Sequence, residues 1–146
     1  MPETISAAVI GLGILGGQHA ALLHRRPEVA LTAVADLRRD VAEETASRLG
    51  AVPYTDYREM LRAHRLDLVV VATPDPLHRE PTIAAIEAGV PNIVQEKPLA
   101  TTWDDGLAIF EAVERSGARL FVNYANRAAP LDIATRYVMQ NGLLGR

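Results

Sequence analysis

The chain has 146 residues, 49% of them hydrophobic and 23% charged, so it has the size of one globular domain and enough apolar side chains to bury a core. Its formal net charge of -3, with no basic run longer than the pairs Arg25-Arg26 and Arg38-Arg39, argues against the clustered basic face that nucleic acid needs. The lack of cysteine excludes a disulfide framework, a thiolate metal site and a thiol nucleophile.

Ile5 to Ile10 is a short apolar run with the composition of a buried strand, and Gly11-Leu12-Gly13-Ile14-Leu15-Gly16 follows it at once. Between a strand and a helix this spacing predicts a cradle for a dinucleotide pyrophosphate, the plain alternative being a purely structural turn. Gly11 permits the tight turn, Gly13 lets the backbone approach the phosphates, and Gly16 lets the helix pack closely on the sheet. The amides where the helix opens, at Ile14 and Leu15, then face the phosphates. Leu31 to Ala35 reads as the second strand, and Asp36 at its end lies about 20 residues past the glycines. There it would accept hydrogen bonds from the adenosine ribose and repel a 2′-phosphate, which favours NAD; the plain alternative is an N-cap or turn residue. Arg38 and Arg39 read either as solvated surface or as partners for a 2′-phosphate, which leaves NADP open.

Farther on, Val52 to Tyr54 suggests a short strand, and Asp56 with Glu59 has the spacing of a capping box. Leu68 to Ala72 is the next strand. The loop Thr73-Pro74-Asp75-Pro76-Leu77-His78 follows, with its prolines expected to hold it extended until a helix starts between Arg79 and Thr82. A stiff loop there walls the nicotinamide side of a groove. His78 reads either as a hydrogen-bonding group for cofactor or substrate, or as a capping or surface residue. Asn92 to Gln95 forms another strand; the Gln95 amide either reaches the cofactor or satisfies a strand end.

Glu96-Lys97-Pro98 comes next, and an amine at a strand end can donate to a substrate hydroxyl or carbonyl; the bland reading of Lys97 is a surface lysine paired with a carboxylate. Thr101 with Asp104, or Thr102 with Asp105, marks a helix start, Leu120 to Tyr124 a last strand, and Pro130 to Asn141 a last helix with Leu131, Ala134, Tyr137 and Val138 on one apolar stripe. Gly50, Gly89 and Gly117 follow helical stretches as C-terminal caps do. His19, His24 and His64 sit on helical segments without partners at metal-ligand spacing and read as structural or exposed, so no metal is expected. Met1-Pro2-Glu3-Thr4 lacks the character of a secretory leader, and no apolar run approaches the ~20 residues that span a bilayer, so a soluble cytoplasmic protein with no membrane partner is expected.

Strands alternating with helices predict an α/β fold, a doubly wound parallel sheet of the Rossmann kind, with ligands bound at the carboxyl ends of its strands. The residues singled out cluster after predicted strands, as that rule requires.

Ala8-Val9-Ile10-Gly11-Leu12-Gly13-Ile14-Leu15-Gly16 with His19, Val69-Val70-Val71-Ala72-Thr73-Pro74 with Leu77-His78, Glu96-Lys97-Pro98-Leu99-Ala100, Asn126-Arg127 with Pro130, and Gly142-Leu143-Leu144-Gly145 resemble, in order, the glucose-fructose oxidoreductase/inositol dehydrogenase (Gfo/Idh/MocA) family. The resemblance implies an NAD(P)-dependent oxidoreductase acting on a sugar, cyclitol or related polyhydroxy compound. It places Gly11, Gly13 and Gly16 on the pyrophosphate and Asp36 on the ribose. Thr73, Leu77, His78 and Glu96 line the nicotinamide end, with Pro74 in the same wall, and Lys97 assists binding and proton relay. Arg127 receives no chemical role.

The resemblance also divides the chain into an NAD(P)-binding domain at 1–125 and a connecting helix at 126–146 that leads to a second α/β domain. That domain, absent from this chain, is expected to supply a catalytic histidine, the other wall of the substrate site and the surface for a homo-oligomer. Hydride transfer by this chain alone is therefore expected to be feeble. A protein that senses NAD(P) on the same fold, as a regulator or scaffold, is the alternative; the intact Glu96-Lys97-Pro98 favours the enzyme.

Overall fold

A computed structural model describes residues 4–143, apart from the side chains of Asn126 and Ala128. Met1 to Glu3 of the amino terminus and Leu144-Gly145 of the closing motif lie outside the described residues. The strands are β1 (Ile5–Ile10), β2 (Val29–Ala35), β3 (Val52–Tyr54), β4 (Leu68–Val71), β5 (Asn92–Glu96) and β6 (Arg119–Asn123). Between and after them run α1 (Ile14–His24), α2 (Arg39–Leu49), α3 (Tyr57–Ala63), α4 (Arg79–Glu87), α5 (Trp103–Ser116) and α6 (Pro130–Gln140).

All strand pairs are parallel, in the order β3-β2-β1-β4-β5-β6. This is the doubly wound arrangement, with its direction of winding reversed between β1 and β4. Strand alternation splits the core into two layers. Ala8, Ile10, Ala33, Ala35, Val69, Val71 and Ile93 face one way, against Met60 and Leu61 of α3, Ala84 to Ile86 of α4 and Ala112 of α5. Val9, Leu31, Val34 and Val70 face the other way, against Ala20 of α1 and Ala42, Ala46 and Leu49 of α2. With both sheet faces covered, each buried valine or isoleucine stabilises the fold by ~1.5–3 kcal/mol, which is why the strands read as nearly continuous apolar runs.

The caps follow local chemistry. Asp56 Oδ1 accepts from the Arg58 amide at 2.8 Å, and Thr102, rather than Thr101, opens α5, its hydroxyl accepting from the Asp105 amide at 3.2 Å. Among the described residues no helix is long and apolar enough to cross a membrane. The last helix carries no buried residue, and Leu131 and Tyr137 of its apolar stripe are exposed.

Candidate cofactor and active site

The turn after β1 shows what each glycine permits. Gly11 has φ +85°, and a Cβ there would stand 2.7 Å from the Ala72 carbonyl oxygen. A Cβ on Gly16 would stand 1.8 Å from the Gly11 carbonyl oxygen, so α1 lies directly on the turn. A Cβ on Gly13 would meet nothing within 4 Å. Open space lies over Gly13, where α1 begins with no side-chain cap on its first amides. Those amides need an acceptor, and the open space beside them has room for an anionic group. Ile14 and Leu15 stand exposed beside it.

Asp36, at the end of β2, is tied to the same turn. Its Oδ2 accepts from the Leu12 amide at 2.8 Å, and its Oδ1 accepts from the Arg38 amide at 3.0 Å and from Arg38 Nε at 3.3 Å. It is not the N-cap of α2, which is Arg38. Burial alone would raise its pKa, but the Arg38 and Leu12 amides and the Arg38 guanidinium outweigh burial and hold it below the ordinary carboxylate value. The carboxylate therefore stays charged at the carboxyl end of β2, beside the glycine turn.

Across the crevice, Thr73 follows β4 and its hydroxyl donates to the Leu77 carbonyl at 3.0 Å. Only the first half of the proline loop is extended: Pro74 has ψ 145°, but Asp75–Leu77 forms a 3-10 turn that contains Pro76. A fixed φ suits such a turn as well as it suits extended chain. Leu77 stays exposed. His78 stands at the N-cap position of α4, but its side chain makes no cap bond: it is 1% exposed, and its Nδ1 and Nε2 lie 2.8 and 2.9 Å from the carbonyls of Pro98 and Thr73. Its ring nitrogens are turned into the protein, where they join the two walls of the crevice rather than meet a ligand.

At the end of β5, Glu96 is 5% exposed, and its Oε1 accepts from His19 Nε2 and from Asn123 Nδ2, both at 2.7 Å. Burial pushes the Glu96 pKa up, but the hydrogen bonds from His19 and Asn123 win and lower it below the ordinary glutamate value. His19 had read as structural or exposed; the fold brings it to the same cleft as Lys97. That cleft, of about 440 Å³, is lined by Leu15, His19, Glu96, Lys97, Asn123 and Tyr124 among others. Lys97 is exposed and joins none of the ion pairs among the described residues. Its ammonium is open to a ligand.

A pH test follows from Glu96. With its folded pKa depressed, its contribution is complete above the unfolded value of about 4.3 and fades as pH falls through the folded value. Asn123→Ala removes one donor and leaves less of this contribution. Circular-dichroism unfolding from about pH 7 down to 2 should show the variant destabilised at neutral pH and the gap closing in acid. A gap constant with pH would mean that Asn123 acts through packing.

No group of three or more histidine, aspartate or glutamate side chains among the described residues is placed to hold a metal. Residues 5–124 match the model of an oxidoreductase family with an NAD-binding Rossmann fold, GFO_IDH_MocA. Inositol 2-dehydrogenase of Rubrobacter xylanophilus is 35% identical over 145 residues, covering 98% of this chain and 42% of that protein. Inositol 2-dehydrogenase/D-chiro-inositol 3-dehydrogenase of Shouchella clausii is 38% identical over 146 residues, 97% of this chain and 42% of that protein. Among solved structures, myo-inositol 2-dehydrogenase from Lactobacillus plantarum superposes with a TM-score of 0.90 at 28% identity, over 99% of this chain and 43% of the other. The WlbA dehydrogenase from Bordetella pertussis, in complex with NADH and UDP-GlcNAcA, gives 0.90 at 28% identity, over 99% and 44%. This chain thus spans less than half the length of the relatives it matches.

Proposed function

This chain belongs to the GFO_IDH_MocA oxidoreductase family, and from that membership we propose that it is the NAD-binding part of a dehydrogenase acting on a polyhydroxy compound of the cyclitol or sugar class. The observation that carries the reading is convergence at one edge of the sheet. The uncapped start of α1, the charged Asp36 and the open Lys97 ammonium all stand at carboxyl ends of strands.

Bound NAD would supply the hydride acceptor. The open face of Gly13 and the amides of Ile14 and Leu15 hold the pyrophosphate, Asp36 holds the adenosine ribose, and Thr73, Pro74 and Leu77 form the wall by the nicotinamide. Glu96, fixed by His19 and Asn123, shapes the floor of the cleft. Lys97 hydrogen-bonds the substrate oxygen and relays its departing proton to a base of the substrate-binding region. Residues 1–125 make up the cofactor domain, and 126–146 connect it to a substrate-binding region of the kind that the longer relatives have room for. The partner is a small polyhydroxy molecule, the setting is the cytoplasm, and a homo-oligomer forms in the full-length protein.

The test is a fluorescence titration with NADH and with NADPH, on the natural chain and on Asp36→Ala. A hydrogen bond to a charged group contributes ~1.5–3 kcal/mol, so NADH affinity should fall by roughly 10- to 100-fold in the variant, and the preference for NADH over NADPH should shrink. Because Asp36 also holds the Leu12 amide, the NADH/NADPH ratio is the decisive reading. An unchanged ratio would remove Asp36 from the ribose site, and binding of neither cofactor would defeat the proposal.

A further inference from the structure

We propose that Gln95 is the positioning residue for Lys97: its buried amide clamps the backbone on both sides of the lysine and so aims the ammonium into the cleft. The proposal rests on the reading that Lys97 works beside the nicotinamide.

Gln95 is fully buried at the carboxyl end of β5, where an unpaired amide would be costly. Its polar atoms are engaged. Oε1 accepts from the Thr82 hydroxyl at 2.8 Å, and Thr82 is itself fully buried on α4. Nε2 lies 2.8 Å from the Leu99 carbonyl oxygen, 3.2 Å from that of Pro98 and 3.3 Å from that of Glu96. An amide has two N–H groups, so these carbonyls share them, with Leu99 the nearest. These three carbonyls bracket Lys97. His78 adds a second hold on the Pro98 carbonyl, at 2.8 Å.

Lys97 has no ion partner of its own among the described residues, so the direction of its side chain follows from the backbone that carries it. That backbone is tied through Gln95 and Thr82 to α4. An apolar side chain of similar size would fill the space but leave the carbonyls and the Thr82 hydroxyl short of partners. A role in packing alone would not require a donor at this place.

Lys97 is the only lysine in the sequence, which makes the test direct. Reductive methylation with a ¹³C label gives one side-chain dimethyl-lysine resonance, identified by its loss in Lys97→Arg. In the natural chain this resonance should shift on addition of NADH. In Gln95→Met, NADH affinity should stay within about 3-fold, because the pyrophosphate and ribose contacts are untouched, while the NADH-induced shift falls by about half or more. Thr82→Val should give a smaller loss, and Thr82→Ser, which keeps the hydroxyl, should restore the shift. Should Gln95→Met fail to fold, the Thr82 pair decides the matter. A full shift in the folded variants overturns the positioning role, as does a loss of NADH affinity of about 10-fold or more, which would mark a general role in the fold. If NADH binds the natural chain and the Lys97 resonance does not move, the placement of Lys97 beside the nicotinamide is itself wrong, a distinct result that takes the proposal with it.

Discussion

Gly16→Ala is expected to abolish NADH binding and to lower the melting temperature of the fold markedly. The new methyl would stand 1.8 Å from the Gly11 carbonyl oxygen, 2.8 Å from its carbon and 3.3 Å from Ala72 Cβ. Two of these atoms are backbone, so no side chain can rotate away. Relief requires α1 to lift from the sheet, which would pull Ala20 out of the layer it shares with Val9 and Val34. Overpacking a core costs ~1–3 kcal/mol and occasionally more, against a total stability of ~5–15 kcal/mol. With a rigid partner the cost falls at the upper end.

Two neighbouring changes separate folding from binding. A Cβ on Gly13 or on Gly17 meets nothing within 4 Å. Gly13→Ala should therefore melt close to the natural chain yet bind NADH far more weakly, because its methyl takes the room assigned to the pyrophosphate. Gly17→Ala lies inside α1 and should gain up to ~1 kcal/mol from helix propensity. Thermal melts with NADH titrations check all three. Natural-like NADH affinity in Gly16→Ala would show that the helix does not depend on this close approach.

Lys97→Met should lower kcat/KM for a cyclitol by ~10²–10⁴, the usual range for loss of a proton-transfer group, while the Kd for NADH stays within about 3-fold. The two readings part because Lys97 stands on β5's end, in the cleft with Glu96 and Asn123, and not on the glycine turn or beside Asp36. Lys97→Arg should not restore turnover: a guanidinium keeps the charge but holds its protons and has a different shape. Steady-state rates with a polyol such as myo-inositol, measured on the full-length protein, decide it. Turnover above about half of the natural rate in Lys97→Met would leave the amine with no part in the chemistry.

Much of the site was legible in advance because its parts depend on short-range spacing. The glycine turn lies directly after a strand, Asp36 is the first residue past β2, and Lys97 the first past β5, so a correct account of the strands places each at the ligand-binding edge. The strands themselves are legible because a parallel sheet covered on both faces needs long apolar runs. Where the loop at Pro74 to Leu77 differs from the extended form its prolines predict, the cause is that proline suits two backbone forms and local sequence does not choose between them.

Hidden from the sequence were the side chains whose partners are distant. His19 lies 77 residues from Glu96 and Asn123 lies 27 from it, and their meeting depends on α1 crossing toward β5 and on β6 closing the edge of the sheet. His78 and Gln95 each had two open readings as sequence, because a polar side chain beside a strand end can turn outward to a ligand or inward to a carbonyl. The fold turned both inward. The sequence by itself determined the α/β class, the glycine turn after β1, the acidic residue at the end of β2 and the single amine at the end of β5. The tertiary structure alone decided which buried polar groups face one another, since that follows from strand order and helix placement, and neither is written in local spacing.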